Sequence, residues 1–145
     1  MYKPPRTEIW LRKIYAPFAQ DRTLTTIFRP ERRLLSEQHP KALGVDETVS
    51  IRIIDKVGAE WSGLYGKLLP QPNIPVVITA VTVKQLQEID ATDFAGSTPD
   101  VMDLSALKIQ LALIYNFSRE DLSPEFWITR TTFRYIEPPP TLLSP

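Results

Sequence analysis

Apolar and polar positions follow two periods along this chain. In residues 48–54, Val49, Ile51 and Ile53 fall on one side and Ser50 and Arg52 on the other, the period of two that predicts a half-buried strand. Residues 76–83 are nearly continuous in β-branched and small side chains, as in a strand covered on both faces. Residues 103–117 change period. Leu104, Leu107, Leu111 and Ile114 recur at three and four, predicting one amphipathic helix with Asp103 as its N-cap. Residues 126–136 predict a closing strand, with Trp127, Phe133 and Tyr135 supplying bulk. Residues 8–15 begin strand-like and lead into a short helix over residues 16–21, where Pro17 suits a first turn. Residues 23–29 read as a strand or an extended loop, and residues 32–40 favour neither period. Residues 55–66, with three glycines, predict a hairpin or a long loop.

Fourteen prolines punctuate this pattern, about twice the usual ~5%. Pro70, Pro72 and Pro75 crowd residues 69–75 and predict a connection there, because a central strand does not tolerate that density. Pro4-Pro5 and Pro138-Pro139-Pro140 mark extended tails. The expected organisation is an N-terminal tail (1–7), a single domain (8–137) and a Pro-rich C-terminal tail (138–145). Several strands with one short helix early and one amphipathic helix late define an α+β fold. A small barrel-like sheet with a helix packed at its side fits better than a doubly wound fold, which needs a helix between most strands.

Composition narrows the chemistry. With 43% apolar and 10% aromatic residues in a chain of 145, a packed core is expected and the disordered class is not. The absence of cysteine excludes disulfides, iron–sulfur clusters, thiolate zinc sites and a cysteine nucleophile. His39 is the only histidine, so no relay of two imidazoles exists, and no metal or cofactor is expected. The charges balance at 17 against 17, but unevenly along the chain. Residues 1–41 carry nine basic and four acidic side chains, a net of +5, and residues 42–145 carry −5. Two readings stand: a face that meets an anion, or two halves that neutralise each other. No run approaches the ~18 apolar residues of a membrane span, and Met1–Arg6 lacks the apolar core of a secretory signal. A soluble, cytoplasmic protein without membrane partners is therefore expected.

The densest polar cluster is residues 21–33, with four arginines (Arg22, Arg29, Arg32, Arg33) and three threonines (Thr23, Thr25, Thr26). Guanidinium forks match phosphate bidentately, hydroxyls donate and accept, and Phe28 beside Arg29 offers stacking next to charge. The same residues also fit a solvated edge strand whose arginines pair with Glu31 and Glu37. A second cluster is acidic: Glu88, Asp90, Asp93, Asp100 and Asp103. It supplies carboxylates for acid–base work or a hard cation, or else forms an exposed acidic loop; its spacing fits no calcium loop. Trp61, in a glycine-rich stretch, either lines a cleft or caps the core. No nucleophile elbow, phosphate-binding loop or dinucleotide fingerprint occurs.

Three motifs carry a family resemblance. Residues Asp21-Arg22-Thr23-Leu24-Thr25-Thr26-Ile27-Phe28-Arg29 follow the short helix. Leu43-Gly44-Val45-Asp46-Glu47-Thr48-Val49 leads into a strand. Residues 76–83, an acidic linker over 88–103 and Leu111-Ala112-Leu113-Ile114-Tyr115-Asn116 then follow in order. Across residues 8–136 the chain resembles the ASCH family of the PUA-like superfamily, small β-barrel domains associated with RNA. The resemblance implies an RNA- or nucleotide-binding cleft. Arg22, Arg29, Arg32 and Arg33 would contact phosphates, Thr23, Thr25 and Thr26 would position the ligand, and Asp93 would bond a base edge or the arginines. Members similar to acetylcytidine amidohydrolases use a Lys three residues before a Thr, with a downstream carboxylate; those positions fall on Arg22, Thr25 and Asp93. Arginine cannot serve as the proton-accepting base that a desolvated lysine can be, so a non-catalytic binding domain is the expectation. The alternatives are an amidohydrolase on an acylated nucleoside, with Thr25 as nucleophile or orienter and Asp93 as acid–base, and a protein-interaction module whose proline tails and exposed Trp and Phe residues dock a partner.

Overall fold

Alternation builds the sheet. In a computed structural model, which describes residues 8–54, 68–115 and 117–138, β3 (Thr48–Ile54) buries Val49, Ile51 and Ile53 and turns Ser50 and Arg52 to the other face. β1 (Glu8–Arg12) pairs with it in parallel, Glu8 opposite Ser50. β4 (Leu68–Gln85) pairs antiparallel on its other side, β5 (Trp127–Tyr135) on β4, and β2 (Thr26–Pro30) on β5. The order is β1-β3-β4-β5-β2, an open five-stranded sheet with β1 and β2 as its edges. Two short helices of different character complete the α+β fold: α1 (Ala16–Gln20) and α2 (Leu104–Tyr115). Residues 55–66, including Trp61, and the tails 1–7 and 139–145 lie outside the described residues.

One expectation is corrected. Residues 69–75 are strand, the first part of the 18-residue β4, and not a connection. Among the described residues β4 pairs here with β3, and its ladder with β5 begins at Val76. A strand with one free side loses no ladder bond there to a residue lacking an N–H. The register of β3 against β4 also shifts between Arg52 and Ile54, opposite this stretch, and a bulge is the other place where proline is tolerated.

Consecutive residues of β2 point to opposite faces and so join two cores. Ile27 belongs to the first, with Leu11, Tyr15, Leu24, Val49, Ile51, Ile53, Val76, Ile78 and Phe133. Phe28 belongs to the second, with Leu86, Phe94, Leu107, Leu111, Leu122 and Ile128. The helix stripe read from the sequence is the one α2 buries: Leu107 and Leu111 are each 2% exposed. Asp103 caps it, its Oδ1 accepting from the Ala106 N–H at 2.7 Å. The acidic linker forms three 3-10 turns, Leu86–Glu88, Ala91–Phe94 and Pro99–Val101. Among the described residues no helix is long and apolar enough to cross a membrane.

Candidate functional site

Among the described residues β1 and β2 are the edges of the sheet, and the Arg29 side chain joins them across a seam. The Arg29 guanidinium donates from Nη1 to the Phe28 carbonyl at 3.0 Å and from Nη2 to the Trp10 carbonyl at 3.1 Å. A cleft of about 60 Å³ opens beside this bridge, walled by Leu11, Tyr15 and Leu24, by Thr26 to Arg29 of β2, and by Thr98, Val101 and the buried side of α2. Arg29, Tyr15, Leu11, Ile114 and Tyr115 also line an adjoining lobe of about 30 Å³, which Trp10 and Arg12 complete.

The polar groups of this cleft are held in place from behind. Arg12 Nη1 donates to Gln110 Oε1 at 2.9 Å, and its guanidinium lies 5.7 Å from the centre of the Tyr15 ring. The Tyr15 hydroxyl donates to Asp100 Oδ2 at 2.8 Å, and Thr98 Oγ1 donates to Asp100 Oδ1 at 2.6 Å. Burial first, and then the Asp100 hydrogen bond and charge, push the Tyr15 phenol well above its ordinary pKa, so it stays a neutral donor at physiological pH. Arg33 Nε donates to the Pro30 carbonyl at 2.9 Å. Desolvation holds the Arg33 pKa below its usual value; Tyr115 and Glu31 oppose the shift and the charge of Arg29 adds to it. An arginine so lowered is still a cation at neutral pH.

The segment 21–33 sends its side chains in three directions. Thr26 and Arg29 line the cleft, whereas Arg33 reaches Tyr115 from outside both lobes; Thr26 is buried, its hydroxyl donating to the Ala95 carbonyl at 2.7 Å. Arg32 turns away, paired with Glu37 at 2.6 Å and stacked 4.3 Å from the centre of a Trp127 ring. Arg22 adopts φ 66 and reaches the C-terminal segment, donating to the Glu137 and Pro138 carbonyls at 3.2 and 3.1 Å and lying over Tyr135 at 4.9 Å. Its Nη1 also closes the end of α1 on the Ala19 carbonyl at 2.9 Å. Thr23 is exposed in a turn, its hydroxyl donating to Asp21 Oδ1 at 2.6 Å. Thr25 packs against Gly96, whose carbonyl accepts from the Thr25 and Thr26 N–H groups at 2.8 and 3.1 Å. A Cβ on Gly96 would lie 2.1 Å from Thr25 Oγ1, and its φ of 82 is left-handed, so this approach requires glycine.

Asp93 sits in a separate cluster. Lys84 Nζ donates to its two carboxylate oxygens at 3.0 and 2.9 Å, the Asp90 N–H donates to Oδ2 at 3.0 Å, and Arg130 Nε lies 3.9 Å from Oδ1. Arg130 also donates to the Asp93 carbonyl at 2.6 Å. No hydrogen bond or ion pair joins Arg22, Thr25 and Asp93 to one another among the described residues. Sequence reasoning missed Arg12, Tyr15, Gln110 and Tyr115 at the seam, and Lys84 and Arg130 around Asp93. Only Lys84 carried a signal: a lysine next to the predicted strand 76–83, a short loop away from an acidic run.

No family model matches the chain, and no curated protein matches it. Solved structures do. An ASCH domain from Lactobacillus crispatus JV V101 superposes with a TM-score of 0.53 at 14% identity, over 85% of this chain and 70% of that one. A DUF984 protein from Enterococcus faecalis V583 superposes with a TM-score of 0.53 at 11% identity, over 94% of this chain and 82% of that one. At these identities the likeness is one of fold: the chain has an ASCH-like α+β architecture.

Proposed function

We propose that this chain is a non-catalytic RNA- or nucleotide-binding domain, acting in the cytoplasm, whose ligand enters the seam between β1 and β2. In this reading the sheet works as a PUA-like barrel, with Arg29 in place of the missing ladder between its edges. The observation that supports it most is that Thr26 and Arg29, both from the Arg/Thr-rich segment, line one cleft together with Tyr15 and Tyr115. Guanidinium beside an aromatic ring is the pairing that holds a phosphate and a base at once. Anisotropy titrations with a short labelled RNA across a salt series test this. Binding weakens with salt, and Arg29→Gln and Arg33→Gln each weaken it and reduce the logarithmic salt slope by about one for each phosphate left unneutralised. Salt-independent binding, or full affinity in both variants, refutes it.

One observation favours a second reading, hydrolysis of an acylated nucleoside by Thr25 and Asp93. Lys84 brings to Asp93 the ammonium that Arg22 cannot replace. Release of free cytidine from an N-acylated cytidine, abolished by Thr25→Val and by Lys84→Met, would establish it in place of the first.

A further inference from the structure

The charges at the seam come close to balance, so its selectivity has to come from hydrogen bonding. Arg12 and Arg29 stand against the Asp100 carboxylate at the rim, and among the described residues no other charged side chain lines either lobe. The larger lobe is mostly aliphatic, with Leu11, Leu24, Ile27, Val101 and Ile114 in its walls. A phosphate moved into such surroundings loses its hydration, whereas a flat neutral ring is spared that cost.

The hydrogen-bonding groups are one-sided. Thr26, Thr98 and Tyr15 are buried, and their hydroxyl protons go to the Ala95 carbonyl and to Asp100. Gln110 is placed differently. Arginine only donates, so the Gln110 amide turns Oε1 to Arg12 Nη1, 2.9 Å away, and its orientation is fixed. That leaves Nε2 with two N–H groups and no partner among the described residues, on a side chain that lines the larger lobe. Arg29 sets Nη1 and Nη2 on carbonyls and keeps further N–H groups at the wall shared by both lobes. The groups that still lack a partner are therefore donors, and a ligand must bring the acceptor.

Size sets how much can enter. A water-sized group needs roughly 10–15 Å³, so a lobe of about 60 Å³ holds one heterocyclic ring, and the adjoining lobe of about 30 Å³ a substituent at most. The bond to the sugar must point outward, so the atom opposite it goes deepest: O4 in uracil and O6 in guanine, but an amino nitrogen in cytosine and adenine. Building on the binding role proposed above, we propose that the seam cleft takes one unpaired base and prefers a keto base to its amino counterpart, with Gln110 as the residue that reads the difference. An amino group in that place sets donor against donor and leaves both without a partner.

The test uses the full chain and matched pairs of labelled oligoribonucleotides. Hexamers of uridine and of cytidine form one pair, hexamers of inosine and of adenosine the other. About tenfold tighter binding of the keto member is expected in at least one pair, and the ratio holds across a salt series because both members carry the same phosphates. Preference within the uridine pair alone identifies a pyrimidine pocket, within the inosine pair alone a purine pocket, and in both a carbonyl read without regard to ring size. Gln110→Leu brings the ratio to within about twofold, and Gln110→Glu, which replaces the N–H groups with an acceptor, reduces or reverses it. Thermal melts show that the variants are folded, and either one suffices. Equal affinities within both pairs, preference for the amino member, or an unchanged ratio in a folded Gln110 variant overturns this inference and leaves RNA binding, which rests on the salt slope, standing. Absence of binding to every oligonucleotide overturns both.

Discussion

The Asp93 cluster and the seam place the same kinds of charge in similar burial, yet they are built oppositely. At Asp93 one carboxylate satisfies Lys84, approaches Arg130 and accepts from the Asp90 N–H, so the cluster is closed by its own partners. At the seam Arg12 and Arg29 line one lobe and hydrogen-bond to carbonyls and an amide. A cluster complete in itself stabilises the fold, and one whose cations hydrogen-bond to neutral acceptors keeps donors for something outside it. Acidic and basic stretches that look equally functional in the sequence thus separate once their neighbours are known.

The largest effect should come from opening the closed cluster. Asp93→Ala leaves Lys84 and Arg130 without their anion and frees the Asp90 N–H, and it should cost about 3 kcal/mol in denaturant unfolding. Gly96→Ala combines a left-handed φ with a collision on Thr25 at the start of β2, and a loss of about 2 kcal/mol in the same measurement is expected. The seam should behave in the contrary sense. Arg33→Gln removes a partly desolvated cation near Arg29, so unfolding free energy should change by less than about 1 kcal/mol, or rise, while binding falls. Loss of stability comparable with that of Asp93→Ala would erase the contrast between the two regions.

The smallest effect concerns pH. Burial pushes the Tyr135 phenol, which donates to the Leu24 carbonyl, up to about 12. A raised pKa in the folded state means that the neutral form is favoured there. Its contribution is therefore intact below the ordinary value near 10 and is lost as pH rises through about 12. Tyr135→Phe should flatten alkaline unfolding in that window, and ultraviolet titration of the tyrosines should lose its step near pH 12.

Local pattern made some elements legible. β3 occupies the alternating stretch, α2 buries Leu107 and Leu111 of its apolar stripe, and Asp103 caps it. The prolines misled, because a proline reports its missing N–H but not whether a neighbouring strand needs one. Segment 21–33 was legible as the source of Thr26 and Arg29, and illegible in where Arg22 turns. Its direction depends on carbonyls 115 and 116 residues later. Gly96 follows the same logic, since nothing near it in the chain demands glycine; the demand comes from Thr25. Lys84 meets Asp93 only because the turn Ala91–Phe94 folds back on the end of β4.

The parallel pairing of β1 has a consequence for the order of assembly. Glu8 finds its place beside Ser50, so β1 meets its partner in the sheet only when a strand some forty residues later has emerged. Loop-closure entropy makes such a union slow, and residues 8–12 should gain protection from hydrogen exchange after the antiparallel pair of β3 and β4, where Ile54 already meets Leu68. The other wall of the seam, β2, pairs with β5 across a still longer stretch, Thr26 opposite Thr132, so the seam closes only after the local pair of β3 and β4 is standing.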